Sequence, residues 1–234
     1  MEGVAAKASN IWKSERLVYR AVEPRDTEIQ AWIQDHMIND PAMLCLSTDI
    51  LPRPRNLEQS NKLVLDLFAE CVLGALIYLP SDSANSATTA VFAGKPATLQ
   101  SEPANESPTP QSKNSPGTLI GFLLLRPPSP LSPQARASSV GITLDGAYVD
   151  KGYGSEALQW LVDWGFRYAN LHRIGLSVNS FNDRAIAVYK RLGFLEEGRA
   201  REAVYFDRQW HDIVHMSILE QEWEALRSKQ TSGV

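Results

Sequence analysis

The stretch S-V-G-I-T-L-D-G-A-Y-V-D-K-G-Y-G-S-E-A-L, Ser139–Leu158, decides how the rest of this chain is read. Val140–Leu144 is a short β-branched and apolar run, which reads as a strand. Two glycines follow, Gly152 and Gly154, and then a helical pattern over Gly152–Asn170. In that pattern Leu158, Leu161, Val162, Gly165 and Ala169 form one stripe, with Gln159, Asp163 and Arg167 outside it. Glycine lets a main chain turn tightly and approach a ligand closely. The first amides of the new helix lack partners within it and sit at the positive end of its dipole, so they suit a phosphate or pyrophosphate. Lys151 adds charge at the rim. A tight turn with no ligand fits the same residues. So does a dinucleotide fingerprint, because Gly152, Gly154 and Ala157 satisfy G-x-G-x-x-A. That fingerprint also wants an acidic residue about 20 positions onward, and Ser177–Ser180 offers none.

Working outward, Arg173–Val178 reads as a strand. Asn182–Leu192 reads as a helix with Ala185, Val188, Tyr189 and Leu192 on one face, stopped by Gly193. Leu195–Tyr205 and Gln209–Leu219 read as strands about a turn at Asp207–Arg208, and Gln221–Ser228 as a terminal helix. Toward the other end, Arg16–Val22 reads as a strand. Asp26 caps a helix that places Ile29, Trp32, Ile33 and His36 together, and a second helix covers Asn56–Cys71 with Leu57, Val64, Leu67, Phe68 and Cys71 near the helical period. Val72–Leu79 and Thr118–Arg126 read as strands, and Pro127–Pro133 as a stiff loop. Between those strands, Pro80–Gly117 is crowded with Ser, Pro, Ala, Asn and Thr. Such a stretch buries too little apolar area to offset its conformational entropy, and reads as a flexible insertion. The order β-α-α-β-β-β-α-β-α-β-β predicts a mixed sheet with helices on its faces. A single domain over 11–228 is expected, with 80–117 its insertion and 1–10 and 229–234 tails.

Of 234 residues, 44% are apolar and 21% charged, with a formal net charge of −4. That balance suits a soluble globular protein and gives no support to nucleic-acid binding. No apolar run is long enough to span a bilayer and no signal peptide is visible, which predicts a cytoplasmic or nuclear setting. Cys45 and Cys71 form no CxxC pair and read as buried thiols in a reducing compartment. His211 and His215 lie four apart on a strand with no third ligand evident, so no metal site is expected. Trp160 and Trp164, one helical turn apart, read as core or interface residues. A monomer or homodimer is expected.

Together with V-N-S-F-N-D-R-A-I-A-V-Y-K-R-L-G-F, Val178–Phe194, the glycine turn resembles the GNAT acyltransferase superfamily, and within it the Rim-type N-terminal acetyltransferases. Gly152 and Gly154 match the family's Q/R-x-x-G-x-G/A turn, whose first position is Val149 here. Asn182, Ala185, Tyr189, Gly193 and Phe194 match its N-x-x-A-x-x-x-Y-x-x-x-G-F signature. S-E-R-L-V-Y-R-A-V-E-P-R-D near the start, and the E-G-R-A-R-E and D-R-Q-W-H-D segments, resemble the family's first strand and its C-terminal hairpin.

The resemblance implies an α/β (α+β) fold: a mixed, mostly antiparallel seven-stranded sheet splayed between strands 4 and 5, with helices on both faces. It implies acetyl-CoA as cosubstrate, no metal, and transfer to a primary amine on a small molecule or on a peptide or protein N-terminus, by direct attack in a ternary complex. Ile142, Thr143 and Leu144 would hydrogen-bond the pantetheine as an added strand. Asp150, Lys151, Gly152, Tyr153, Gly154 and Ser155 would hold the pyrophosphate, Asn182 would contact the cosubstrate, and Tyr189 would protonate the leaving thiolate. The position that carries a glutamate base in many relatives is Ser177, which cannot serve as one. Asp145 is a candidate base that equally suits capping or a turn, a water relay or an amine already neutral would also suffice, and the base stays open. A binding protein without turnover, and an NAD(P)-dependent oxidoreductase, are the alternatives.

Overall fold

The computed structural model describes residues 11–23, 25–48, 51–80 and 117–231. The expected insertion and the tail at 1–10 therefore lie outside the described residues, apart from the insertion's two ends.

Seven strands form a single sheet. In chain order they are β1 (Val18–Arg20), β2 (Leu73–Leu79), β3 (Thr118–Leu125), β4 (Ala137–Leu144), β5 (Arg173–Asn179), β6 (Leu195–Phe206) and β7 (Gln209–Leu219). In space the order is β1-β2-β3-β4-β5-β7-β6. Every neighbouring pair is antiparallel except β4 and β5. The helices are α1 (Thr27–Ile33), α2 (Pro41–Ser47), α3 (Leu57–Ala69), α4 (Tyr153–Arg167), α5 (Asp183–Arg191) and α6 (Glu220–Thr231).

Alternation along the strands builds a core on each face. Ala75, Ile77 and Leu79 of β2 join Leu161, Phe166, Ile174, Phe194, Met216 and Ile218 in the larger core, under α4, α5 and α6. Leu76 and Tyr78 point the other way and meet Ile33, Met37, Ile38, Phe122 and Leu124 under α1 and α3. A register shift between Ile77 and Tyr78 leaves Ile120 unpaired in β3. Consequently Ile120 and Phe122, two apart, serve opposite cores. Phe194, at the end of the Asn182–Phe194 motif, is 1% exposed. Burying a side chain of that size contributes about 1.5–3 kcal/mol.

Local signals explain the helix starts. Asp26 Oδ1 accepts from the amides of Glu28 and Ile29, and Asn56 with Gln59 forms a reciprocal capping box. Helix α2 was not foreseen; it lies between the two helices that the sequence predicts in this half of the chain. Asp40 Oδ1 accepts from Ala42 N at 2.9 Å and Met43 N at 3.1 Å, and Pro41 stands at the first helical position. Between α1 and α2, Gln34–Ile38 makes one π-helical turn closed by Asn39 N on Gln34 O. Helix α4 stops at Arg167, three residues short of the expected Asn170, which sits at φ 53 in the left-handed region. The hairpin turn falls at Asp207 and Arg208, both with positive φ, as expected. Among the described residues no helix is long and apolar enough to cross a membrane.

Candidate active site

Strands β4 and β5 begin as neighbours and then part. Ala137, Ser138 and Ser139 pair with Arg173, Ile174 and Gly175, and no pairing follows. On its other side β4 stays zipped to β3 as far as Leu144. Arg126 N bonds Ser139 O, and Asp145 N bonds Ile120 O. Backbone direction alternates along an antiparallel strand, so the odd-numbered residues turn their amides and carbonyls to β3. The last rung of the β4–β5 ladder takes Val140 N onto Gly175 O, so the Val140 carbonyl and both main-chain groups of Ile142 and Leu144 aim into the gap. Thr143 lines the gap too, but its main-chain groups belong to β3. Buried backbone groups need partners, so an open inner edge is a place for an extended ligand to lie as a further strand.

The gap widens into a cleft of about 430 Å³. Of the residues singled out in the sequence, Ile142, Thr143, Leu144, Asp150, Gly152, Gly154, Ser155, Asn182 and Tyr189 line it together. Lys151 and Tyr153 do not. Tyr153 is 8% exposed and turns into the core, with the Arg16 guanidinium 4.7 Å over its ring. Lys151 Nζ sits 5.2 Å over the Tyr148 ring, outside the cleft. A larger hollow of about 730 Å³ lies elsewhere, against β1, β2 and α1 around Tyr19, Trp32 and Tyr78, and contains no residue of the glycine turn or of Asn182–Phe194.

The cleft's upper end is the start of α4. Gly152 caps it at φ 81 and no side chain caps the helix. The first helical bond inside runs from Glu156 N to Gly152 O, so the amides of Tyr153, Gly154 and Ser155 have no partner within the helix. A side chain on Gly154 would meet Leu144 Cδ1 at 3.2 Å. What steadies this turn was not foreseen. Arg16 donates from Nε to Glu156 Oε2 at 2.7 Å, from its amide to Oε1 at 2.7 Å, and from Nη1 to Lys151 O at 3.1 Å. Ser14 Oγ adds a bond to Glu156 Oε1 at 2.6 Å. Burial raises the Glu156 carboxyl, but the bonds from Ser14 and Arg16 outweigh it and leave the group below its ordinary range. Across the mouth, Arg184 of α5 reaches Asp150 at 3.2 Å.

The lower wall is α5 and α2. Asn182 has two duties: Oδ1 caps α5 by accepting from Ala185 N at 3.2 Å, and Nδ2 donates to Leu46 O at 3.1 Å. Asn179 Nδ2 donates to Cys45 O and Thr48 O. These two asparagines tether the end of α2, whose Met43, Leu46 and Ser47 line the cleft. Tyr189 is half-buried, its ring centroid 5.9 Å from that of Phe194. Burial pushes its phenol up to about 12, and its hydroxyl has no hydrogen-bond partner among the described residues.

Of the two positions weighed for a base, Ser177 lines the cleft and Asp145 does not. Asp145 is 8% exposed. One of its oxygens accepts from Ala147 N at 2.8 Å and the other lies 2.7 Å from His36 Nδ1, with His36 stacked on Trp32. Among the described residues no group of three or more His, Cys, Asp or Glu is placed to hold a metal. His215 instead meets Ser177, and His211 packs edge-on to Phe181. Trp160 stacks on Tyr19 at 3.6 Å and donates to Ile11 O, so it packs within the chain. Cys45 and Cys71 are half-buried thiols and form no disulfide with each other.

Residues 81–194 match the family model described as "Acetyltransferase (GNAT) family". The chain is 34% identical over 89 residues to a protein named putative ribosomal N-acetyltransferase YdaF from Bacillus subtilis (strain 168); that covers 38% of this chain and 49% of that protein. It is 29% identical over 90 residues to a spermidine N(1)-acetyltransferase of Escherichia coli (strain K12), covering 38% of this chain and 48% of that one. The chain thus spans about half the length of the curated relatives it matches. Among solved structures, a spermidine N-acetyltransferase from Vibrio cholerae, in complex with CoA and spermine, superposes with a TM-score of 0.62. That match is 18% identical and covers 89% of this chain and 98% of that one, a likeness of fold.

Proposed function

We propose that the chain is a GNAT-family acetyltransferase, whose family model residues 81–194 match, and that it transfers the acetyl group of acetyl-CoA to a primary amine by direct attack in a ternary complex. The observation that carries the reading is the early end of β4–β5 pairing at Ser139, which leaves a cleft bounded by the Gly152 turn and Tyr189.

Val140, Ile142 and Leu144 supply backbone donors and acceptors for a pantetheine chain laid between the strands. The amides of Tyr153, Gly154 and Ser155 supply the positive end of α4 for a pyrophosphate. In this reading Tyr153 contributes its amide alone, and Lys151 acts from the rim. Asn182 holds α5 and α2 together around the carrier, with α2 walling the side from which an amine enters. An amide of the open β4 edge near Leu144 faces the thioester oxygen and stabilises the charge that develops there. Holding amine and thioester together removes much of the entropic barrier. Tyr189 keeps its proton throughout the neutral range, because its phenol sits about two units above the ordinary value near 10. It therefore meets the departing sulfur as a hydrogen-bond donor and gives up the proton as negative charge builds there.

The acceptor is a small amine such as a polyamine, or the N-terminus of a peptide or protein, and the setting is cytoplasmic. Release of free CoA from acetyl-CoA, followed with spermidine and with peptides bearing N-terminal alanine, tests the reading. Acceptor-dependent release with an acetylated product by mass spectrometry supports it. Tight acetyl-CoA binding with no release across a broad amine panel would make this a binding protein without turnover. NADH binding with no acetyl-CoA binding would make it an oxidoreductase.

A further inference from the structure

The face of β5 and β7 that looks away from α4 is polar. Arg173 and Ser177 of β5 stand on it with His215 and Ser217 of β7, beside Glu197 of β6. Ser177 and His215 are directly opposed across the ladder, and Ser177 Oγ lies 3.0 Å from His215 Nδ1. Ser177 also lines the cleft. A hydroxyl in the cleft wall thus has an imidazole behind it, and that imidazole is exposed to solvent on its far side.

We propose that Ser177 and His215 form a proton relay that takes the proton from an incoming ammonium. This rests on the acetyl-transfer reading given above. The ammonium nitrogen gives one proton to Ser177 Oγ as the Ser177 hydroxyl proton passes to His215 Nδ1. A neutral amine remains, its lone pair free to attack the thioester carbonyl. The imidazolium sheds its Nε2 proton to water, and after product leaves Nε2 is reprotonated from solvent while Nδ1 returns its proton through Ser177 Oγ to water in the emptied cleft, which restores the starting tautomer. Nδ1 is then the acceptor in the resting state and Nε2 carries the hydrogen. Ser177 is the group that touches the amine, and His215 acts through it.

The charges around His215 suit this part. Glu197 is occupied by Arg173, which binds it through both Nη atoms, and by Ser217 Oγ at 2.8 Å. Hydrogen bonds from Arg173 hold the Glu197 carboxyl down at about 2, so it stays ionised while His215 changes charge. It steadies an imidazolium without competing for the proton. His211, four residues along β7, is turned to the Phe181 ring. Asn179 is committed to the carbonyls of Cys45 and Thr48. Among the described cleft residues, Ser177 is the hydroxyl backed by a histidine.

The test follows acetyl transfer from acetyl-CoA to spermidine and to an alanine-N-terminal peptide across pH, for the wild type, His215→Gln, Ser177→Ala and the pair combined. The account expects each single change to lower kcat at and below neutrality about 10- to 100-fold, leaving the KM for acetyl-CoA unaltered. The combined change should be no worse than either alone. The deficit should close toward alkaline pH, where the amine arrives neutral. Ser177→Glu placed in the His215→Gln background should restore about tenfold, because a carboxylate at 177 bypasses the imidazole. A deficit constant across pH, additive losses, or no recovery with Ser177→Glu would overturn the relay and leave the acetyl-transfer reading standing. No CoA release by the wild type would overturn both. Ser177 and His215 are both exposed, and calorimetry with acetyl-CoA on each variant confirms that the fold survives.

Discussion

Arg16 Nε lies 2.7 Å from the Glu156 carboxylate, although 140 residues separate them in the chain. Through that contact the segment before β1 braces the first turn of α4, which the helix's own residues leave uncapped. Glu156→Gln removes the charge while keeping the shape. It should lower unfolding free energy at neutral pH by about 1–3 kcal/mol, the usual cost of a charged hydrogen bond partly buried. The folded carboxyl lies below its ordinary range, so its contribution is present above the unfolded value of about 4.3 and fades as pH falls through the folded one. Denaturant titrations in an acid series should show a shallower acid loss for Glu156→Gln than for the wild type.

Gly152 occupies φ 81, and a Cβ there would stand 3.2 Å from Arg16 Nη2. Gly152→Ala forces an L side chain into the left-handed region, at a cost of about 1–2 kcal/mol. It also disturbs the amides of Tyr153–Ser155. Calorimetry should show weaker acetyl-CoA binding as well as a lower unfolding free energy. Gly146→Ala, where nothing stands within 4 Å of the new atom, is the control and should fall within about 0.5 kcal/mol of the wild type.

Tyr189→Phe deletes a hydroxyl without opening a cavity. Turnover should fall about 10- to 100-fold, with acetyl-CoA affinity retained. The folded phenol titrates above its ordinary value because burial disfavours the phenolate. Rate should therefore not decline from this group as pH rises through about 10, the unfolded value. The same shift makes the folded state lose stability only as pH climbs from there toward about 12. Rate profiles and phenolate absorbance, compared between wild type and Tyr189→Phe, check both statements. An unchanged rate would remove Tyr189 from the chemistry.

Asn182→Asp separates the two duties of that side chain. An aspartate still caps α5 through Ala185 N, but it cannot donate to Leu46 O and instead sets a carboxylate against a carbonyl. Thermal stability should change little beside the loss of acceptor affinity, because α2 loses a tether while α5 keeps its cap. Paired measurements of Tm and of KM for the amine distinguish this from general destabilisation.

The parts legible in sequence were those with dense local punctuation. The turn at Gly152 and Gly154, the Gly193 stop and the hairpin at Asp207–Arg208 each follow from backbone rules that act within a few residues, and the structure has all three. Helix α2 was missed because its seven residues carry too short an apolar pattern, although the Asp40–Pro41 pair is a start signal that could have revealed it. The Arg16–Glu156 brace and the Ser177–His215 contact join residues 140 and 38 apart. Nothing in local spacing encodes them; they exist because the strand order brings those segments side by side. The Tyr153 side chain leaves the cleft because on a helix's first turn the amide faces outward while the side chain follows its own stripe, here into the core.

Hydrogen exchange with and without acetyl-CoA tests the central claim most directly, namely that the open edge of β4 and the first turn of α4 receive the carrier. Strong slowing is predicted at the amides of Ile142, Leu144, Tyr153, Gly154 and Ser155. Val140, Thr143 and the β3 partners, already bonded, should change little. Binding that leaves those five amides exchanging as before would contradict it.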